Sequence, residues 1–138
     1  MANDLLNIVT KVNNAIRSDK IRRIALTTLL AVHKPRIFDK GLAADGSQIG
    51  TYSKKYGEKK KLLGRNPGYV NLRLSDQMSG DYGLIVSGNE YGFGFQNSFN
   101  ADKMGWNTDR YGKEIAALSD PELKLFADVL LSELNLAI

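Results

Sequence analysis

The sequence predicts an α+β fold: a long N-terminal helix or helix pair, a long basic loop, a small antiparallel sheet and a C-terminal helix packed on the sheet. Apolar residues recur at three- and four-residue spacings near both ends of the chain, which is the period of an amphipathic helix. Between them, residues 83–95 contain a short apolar segment, a tight turn and an alternating segment, which is typical of a β-hairpin. Segregated helices and strands indicate an α+β domain.

Residues 1–43 form the predicted N-terminal helical region. Its first apolar positions are Leu5, Ile8, Val9, Val12, Ala15 and Ile16, and the same spacing continues from Ile21 to Val32. Ser18-Asp19 marks a second helix N-terminus, unless one helix runs through it. Pro35 lacks a backbone donor and predicts a kink or a restart. Gly41 is the predicted C-terminal stop.

Residues 44–68 show no sustained apolar period, and they are predicted to form an extended basic loop. Structureless loops of this length are uncommon in compact domains and are usually functional or disordered. The candidate contact residues here are basic or aromatic: Tyr52, Lys54, Lys55, Tyr56, Lys59, Lys60, Lys61 and Arg65. The loop is expected to touch either a neighbouring subunit or DNA. The alternative is a solvated loop that its own charge keeps extended.

Residues 69–118 are predicted to hold the sheet and a short helix. Val70, Leu72 and Leu74 alternate with polar residues, which predicts a short strand or an extended segment, and residues 75–78 predict a turn of helix. Residues 83–87 and 91–95 are the strands of the hairpin, and Gly88-Asn89-Glu90 is its turn. A short helix is expected within residues 98–111, and a last strand at 114–118.

Residues 119–138 are the predicted C-terminal helix. Ser119 is the expected N-cap, and Glu122, three residues later, completes a capping box. The expected buried stripe consists of Leu123, Phe126, Ala127, Leu130, Leu131 and Leu134.

The composition indicates one globular domain, residues 1–138. Apolar residues make up 43% of the 138 positions and charged residues 25%, close to globular averages. There is no Cys, which excludes disulfides and thiol catalysis and fits a reducing compartment. The N-terminus lacks the layout of a signal peptide. No apolar run approaches the roughly 18 residues of a membrane span, so no membrane partner is expected.

Charge is divided unevenly along the chain. Residues 1–68 contain 14 Lys and Arg against 5 Asp and Glu, a net charge of +9, whereas residues 69–138 contain 5 against 10, a net charge of −5. This asymmetry predicts either an anionic partner for the first half or head-to-tail packing between copies of the chain. The simpler interpretation is two solvated surfaces of opposite sign.

The residues predict no catalytic, cofactor-binding or metal site, and therefore no enzyme. His33 is the only histidine, so no histidine pair can hold a metal, and it is expected to be a packed or half-exposed residue. Asp102, Asp109 and Glu114 are spread over polar turns, and their spacing does not indicate a catalytic acid–base pair. No phosphate-binding loop is present.

Two features favour binding instead of catalysis. The basic residues of the loop can neutralise phosphates while Tyr52 and Tyr56 stack on bases. A small basic nucleic-acid-binding protein of a phage or mobile element is therefore the alternative function. Trp106, the sole tryptophan, lies in a polar stretch. It either caps the sheet or anchors an interface, where Trp, Tyr and Arg dominate the energetics.

Short motifs between residues 36 and 126 carry a family resemblance. They are residues 37–41 (IFDKG), 45–50 (DGSQIG), 52–53 (YS), 70–78 (VNLRLSDQM), 93–95 (FGF), Lys103, Asn107, 110–112 (RYG) and 118–122 (LSDPE). Together they resemble the virion-morphogenesis and tail-completion proteins of tailed bacteriophages and prophages. Ser75-Asp76 stands where that family usually has a Thr-Gly pair, which leaves the geometry of this turn open.

The resemblance implies a structural virion protein of the head–tail junction (neck or tail completion), without catalysis or cofactor. It implies a ring of identical copies around the DNA channel, assembled in the host cytoplasm. The partners implied are the chain itself and other head–tail connector or tail proteins, with DNA as a nonspecific contact. Rings use heterologous contacts, in which one surface meets a different surface of the next copy.

Overall fold

The computed structural model describes residues 2–73 and 76–137, and it confirms the α+β class. Within those residues it contains six helices and a two-stranded sheet. In chain order the elements are α1 (Ala2–Arg17), α2 (Asp19–Phe38), α3 (Lys54–Leu62), α4 (Gln77–Asp81), β1 (Tyr82–Ser87), β2 (Glu90–Phe95), α5 (Ser98–Tyr111) and α6 (Asp120–Ala137). The central helix α2 packs along α6 and against the sheet, and α6 also contacts α1.

The N-terminal region is a helix pair divided at Ser18. The Ser18 side chain accepts a hydrogen bond from the Ile21 N–H at 3.4 Å and caps α2. The restart predicted at Pro35 is absent, because α2 continues through Pro35 to Phe38. The chain then turns at Gly41, which has a φ of 64°. A Cβ at Gly41 would lie 2.3 Å from the Val70 carbonyl oxygen, so this turn requires glycine.

The prediction of an extended loop over residues 44–68 is wrong at its centre, which is helix α3. The Ser53 side chain accepts a hydrogen bond from the Tyr56 N–H at 3.3 Å and caps this helix. Its buried positions are Gly57 and Lys60, so α3 shows no apolar period. Before α3, the chain is held to the body by the buried Ile49, whose N–H donates to the Gly41 carbonyl at 2.9 Å.

The strand predicted at residues 70–74 is also wrong over residues 70–73, the part of it that the structure describes. Residues 70–73 are irregular, and Leu72 has a φ of 58°, in the left-handed region that no strand contains. Leu74 and Ser75 lie outside the described residues. The expected turn of helix is present as α4, which begins after Asp76 at a φ of 62°. A local left-handed backbone therefore replaces the strand.

The predicted hairpin is confirmed. β1 and β2 pair antiparallel, from Tyr82 opposite Phe95 to Ser87 opposite Glu90. Gly88 has a φ of 59° in the short turn, as two-residue hairpin loops require.

Residues 98–118 differ from the prediction in two ways. The helix α5 occupies the whole of residues 98–111, so it is longer than expected, and it ends at Gly112 with a φ of 65°. The strand predicted at 114–118 is wrong, because this segment is irregular. Ile115 is nevertheless fully buried, and the carbonyls of Ile115 and Ala117 accept hydrogen bonds from the Arg36 guanidinium. The hydrogen bonds that a neighbouring strand would give these carbonyls come instead from the Arg36 side chain.

The C-terminal helix α6 begins with the predicted capping box. The Glu122 N–H donates to Ser119 Oγ at 3.3 Å, and the Ser119 N–H donates to Glu122 Oε1 at 3.3 Å. The predicted buried stripe is only partly correct, since Leu123, Ala127 and Leu131 are exposed. The more buried positions are Leu125, Phe126, Val129, Leu130, Glu133 and Leu134. The helix carries two apolar rows, and its packing on α2 selects one of them.

The hydrophobic core lies around the C-terminal end of α2. Its buried members are Ile37, Phe38, Ala43, Ile49, Val70, Met78, Tyr82, Met104 and Ile115. None of these residues comes from α1, so α1 lies outside the main core.

Candidate functional site

Helix α3 displays four of the predicted lysines on the surface. Lys54, Lys55, Lys59 and Lys61 are exposed, and none of them forms an ion pair within the described residues. Leu62, at the end of the same helix, is 88% exposed. α3 therefore presents four lysines beside a single exposed acid, Glu58, and has an apolar end.

Lys60 does not belong to this surface, because its side chain is fully buried. Its Nζ donates to the Tyr52 hydroxyl at 2.8 Å and to Asn71 Oδ1 at 2.9 Å, and it lies 4.3 Å from the centre of the Tyr52 ring. Burial, with a smaller contribution from the nearby Arg65, lowers the pKa of Lys60 to about 8. Lys60 thus anchors α3 to the body of the protein.

Tyr52 and Tyr56 lie together in a cleft with residues of α5. Their ring centres are 5.0 Å apart at an interplanar angle of 51°. With Tyr111, Lys103 and Arg110 they line a cleft of about 470 Å³, called here the tyrosine cleft. Gly50 makes room for this arrangement, since a Cβ there would meet the Tyr111 ring at 2.6 Å.

Cations and neutral phenols characterise the tyrosine cleft. Lys103 and Arg110 form no ion pair with another described residue. Burial raises the pKa of Tyr52, Tyr56 and Tyr111, so these phenols keep their protons near neutral pH. The cleft is therefore suited to a group that accepts hydrogen bonds and carries negative charge.

Arg65 is a member of an ion-pair network. Its guanidinium lies 2.9 Å from Asp76 Oδ2. Asp76 also pairs with Arg73 at 2.8 Å, and Arg73 pairs in turn with Asp39. The hydrogen bond from Arg73, with that from Arg65, holds the pKa of the Asp76 carboxyl below its usual value. Arg65 stabilises the turn before α4 and is only half-buried there.

Trp106 lies on the outer surface of α5. It is 58% exposed and packs edge-on against Phe99, which is 51% exposed, with ring centres 5.9 Å apart. The Lys103 ammonium lies 4.7 Å from the centre of the Phe99 ring and connects this pair to the tyrosine cleft. This exposure favours an anchor for a partner over a cap on the sheet. The sequence analysis did not select Phe99; its position two turns before Trp106 on one helix face is the signal.

Most of the apolar residues of α1 are exposed, although their spacing suggested a core-facing helix. Leu5, Leu6, Ile8, Val9 and Ile16 are between 42% and 64% exposed. Val12 is half-buried and Ala15 is buried, where α1 approaches α2 and α6. The structure thus leaves an apolar stripe along α1 without a partner in the described part of the chain.

A buried polar network joins α2, β1 and α6. His33 Nδ1–H donates to Glu122 Oε1 at 2.8 Å, and the Tyr82 hydroxyl donates to His33 Nε2 at 2.6 Å. Burial lowers the pKa of His33 and raises the pKa of Tyr82 to about 12, so both are neutral. Burial alone would raise the pKa of Glu122, but hydrogen bonds from His33 and Arg36 lower it.

The Tyr82 hydroxyl, the His33 imidazole and the Glu122 carboxylate follow one another like the nucleophile, base and acid of a catalytic site. They are buried, however, so a substrate has no path to them. The side chains of His33, Tyr82 and Glu122 are at most 3% exposed, and Phe93 stacks on the His33 ring at 5.0 Å. A substrate cannot reach the Tyr82 hydroxyl in this arrangement. The network is therefore a structural link between distant segments.

Two further properties concern the described residues. They contain no group of three or more His, Cys, Asp or Glu placed to hold a metal ion. None of their helices has both the length and the apolar character needed to cross a membrane.

Comparison of the chain with family models, with curated proteins and with solved structures gives no match.

Proposed function

We propose that this chain is a structural subunit of a tailed-bacteriophage virion. It would act at the head–tail junction as a neck or tail-completion protein, in a ring of identical copies around the DNA channel. The place in the virion, and the neighbouring connector or tail proteins as further partners, are supported by the sequence resemblance. The self-association is supported by the surface of the fold.

The unpartnered apolar stripe of α1 is the observation that carries the self-association. A helix of this length is marginal in water by itself, and most helices are stabilised by packing an apolar face. In α1 the exposed apolar residues include Leu5, Leu6, Ile8 and Val9. Asn is the commonest of its polar residues, and Lys11 and Arg17 are its only cations. Membrane-surface helices usually have a polar face rich in Lys and Arg, so a protein partner fits α1 better.

The total exposed area exceeds that of a compact monomer of the same mass. The chain exposes 8759 Å², whereas a compact monomer of 15.3 kDa exposes about 7,100 Å². The excess is about 1,600 Å², and a standard interface hides about 800 Å² on each partner. A ring subunit contacts two neighbours, so two standard interfaces would cover this excess.

The charges on the surface support contacts between different faces of the copies. Helix α3 presents Lys54, Lys55, Lys59 and Lys61, while the exposed acids of α6 are Asp120 and Asp128. Complementary charges set register and encounter rate more than affinity. An apolar contact through α1 supplies the affinity that charges alone do not.

Self-association is tested by measuring mass against concentration. Light scattering or sedimentation should give a mass that rises from 15.3 kDa to a single multiple of it, and electron microscopy should show closed rings. A chain that stays at 15.3 kDa at every concentration and salt would overturn the proposal.

Nonspecific nucleic-acid binding is the second candidate function, favoured by the four exposed lysines of α3 that lack ion-pair partners. Its signature is the salt dependence: each phosphate contact contributes about 0.9 to the slope of log K against log salt on duplex DNA. Replacing both Lys59 and Lys61 with Glu should reduce that slope by about 2. An unchanged slope would exclude α3 as the DNA contact.

A further inference from the structure

The tyrosine cleft has hydrogen-bond donors that the fold leaves unused. The hydroxyls of Tyr56 and Tyr111 and the guanidinium of Arg110 form no hydrogen bond with other described residues, and the Arg110 guanidinium lies 5.6 Å from the centre of the Tyr111 ring. Lys103 makes one hydrogen bond, to Gln77 Oε1 at 3.2 Å. These groups are all donors at neutral pH. The matching ligand is a carboxylate or another anionic acceptor.

Asp76 also lines the tyrosine cleft, but its charge is already neutralised. Its carboxylate pairs with Arg65 at 2.9 Å and with Arg73 at 2.8 Å. The unpaired charges of the cleft, Lys103 and Arg110, are therefore both positive.

An aromatic surface adjoins the cleft on α5. Phe99 and Trp106 are two turns apart and therefore lie on one face of the helix, and each is more than half exposed. Asp102 and Asp109 are exposed beside Trp106, four residues before it and three after it, on the same side of α5. A partner for this face must place an anion at the cleft and apolar side chains over Phe99 and Trp106. It must also carry no negative charge close to Asp102 and Asp109.

The exposed face of α6 has these properties. Leu123 and Leu131 are 49% and 60% exposed. Asp128 lies about 4.5 Å from Leu131 along the helix axis, close to the roughly 6 Å between Trp106 and Arg110, so an antiparallel α6 can place Leu131 on Trp106 and Asp128 at Arg110. Asp128 is exposed next to Leu131, and Lys124 is exposed next to Leu123. This face thus combines leucines, one carboxylate for the cleft and one ammonium for Asp102 or Asp109.

We propose that the α5 face and tyrosine cleft of one copy receive the exposed face of α6 from a second copy. The Asp128 carboxylate accepts hydrogen bonds from Arg110 and the tyrosine hydroxyls, and Leu131 packs on the aromatic pair. The contact is heterologous, because the two surfaces differ, and its repetition gives a ring or a filament. This inference rests on the proposed self-association and adds a second contact, between the α5 face and α6, to the contact proposed through α1.

A nucleic-acid strand fits this face less well. Asp102 and Asp109 would repel its phosphates beside Trp106. An α-helix can place a single carboxylate at the cleft and none beside Asp102 and Asp109, so it avoids this charge repulsion. The second copy is therefore the occupant that the charges favour.

The test uses two variants that each block one surface. Arg110→Glu reverses the charge in the cleft, and Leu131→Glu places a charge on the α6 face. Both residues are exposed, so the fold should persist. Each variant alone should self-associate about tenfold more weakly or worse. Lys20→Glu and Val32→Glu, which make comparable changes at exposed positions of α2, are the controls and should assemble like the wild type.

Mixing the two blocked variants distinguishes the outcomes. Both variants also carry Leu5→Asp, which places a charge on the exposed stripe of α1 and removes the α1 contact. The intact α6 of one should then enter the intact cleft of the other, and growth should stop at a dimer of twice 15.3 kDa. A mixture that stays monomeric, while the wild type assembles, would overturn this inference and leave the proposed function standing. A monomeric wild type would overturn both. An Arg110→Glu variant that assembles normally but loses binding to a single-stranded oligonucleotide would reassign the cleft to nucleic acid.

Discussion

Arg36 on α2 and Glu122 on α6 form a buried ion pair in which Nε and Oε2 are 2.9 Å apart and the side chains are 8% and 2% exposed. Glu122 is also a member of the capping box of α6. The guanidinium of Arg36 donates further hydrogen bonds to three backbone carbonyls, those of Leu42, Ile115 and Ala117. One pair therefore holds together the two packed helices and the irregular segments beside them.

Glu122→Gln should destabilise the fold strongly. The substitution leaves the Arg36 charge buried without its carboxylate, a loss that typically costs about 3–5 kcal/mol. Urea unfolding measures the change in free energy. Asp128→Asn, at an exposed position of the same helix, should cost less than about 0.5 kcal/mol. A loss below about 1 kcal/mol in Glu122→Gln would mean that the pair contributes little.

Stability should fall as the pH drops below 6.5, the ordinary pKa of histidine. Burial holds the pKa of His33 lower in the folded state, where Tyr82, Glu122 and Arg36 surround it, so the unfolded chain binds a proton first. The slope should reach up to about 1.4 kcal/mol per pH unit. His33→Gln should flatten this slope in urea unfolding. Protonation of Glu122 lowers the stability further only below pH 4.5, its ordinary pKa, because the folded state holds the pKa of Glu122 below that value.

Lys60 should make stability rise with pH in the alkaline range. Its pKa is about 8 in the folded state against an ordinary value of 10.5, so between these values the unfolded chain binds more protons and folding is favoured as pH increases. Lys60→Met should remove this rise, as measured by urea unfolding from pH 8 upward. Lys55→Met, at an exposed position of α3, should retain it. An identical rise in both variants would refute the assignment to Lys60.

Leu5→Asp should reduce self-association while leaving the fold intact. Leu5 is 64% exposed in the single chain, so a charge there costs little in the monomer but opposes burial against a second copy. Sedimentation should show a lower mass at equal concentration, with an unchanged unfolding midpoint. Asn7→Asp adds the same charge to the polar face of α1 and serves as its control. Equal effects from both substitutions would indicate simple charge repulsion.

The structure changes which of the lysines at positions 59–61 should be replaced to test the basic surface. The sequence places Lys59, Lys60 and Lys61 together in one basic segment, so reversing all three to Glu looks like a surface change. Only Lys59 and Lys61 are exposed, whereas Lys60 is fully buried. The triple reversal would bury a carboxylate beside Tyr52 and disturb α3, so only the outer pair tests the surface.

Features that depend on neighbours in the chain were predictable from the sequence. The capping box of Ser119 and Glu122, the cap at Ser18 and the turn of the hairpin at Gly88 each involve residues within three or four positions of one another. Their hydrogen bonds form whenever the local backbone folds, so short motifs suffice to identify them. The α+β class followed from the same local periods.

The remaining features depend on contacts between distant residues. Glu122 serves the local cap, but its second role needs Arg36, 86 positions away. Helix α3 has no apolar period because a lysine fills its buried position, which requires Asn71 and Tyr52 as acceptors.

Apolar periodicity shows which face of a helix avoids water, but not what covers it. The stripes of α1 and α6 look alike in sequence, yet α2 covers one row of α6 and almost nothing covers α1. The sequence by itself thus determined the α+β class, the helices near both ends of the chain and the hairpin, but not α3 or the irregular segments at residues 70–73 and 114–118. Only the tertiary structure decided which of those faces remain available for a partner, because burial depends on the three-dimensional packing of all the elements.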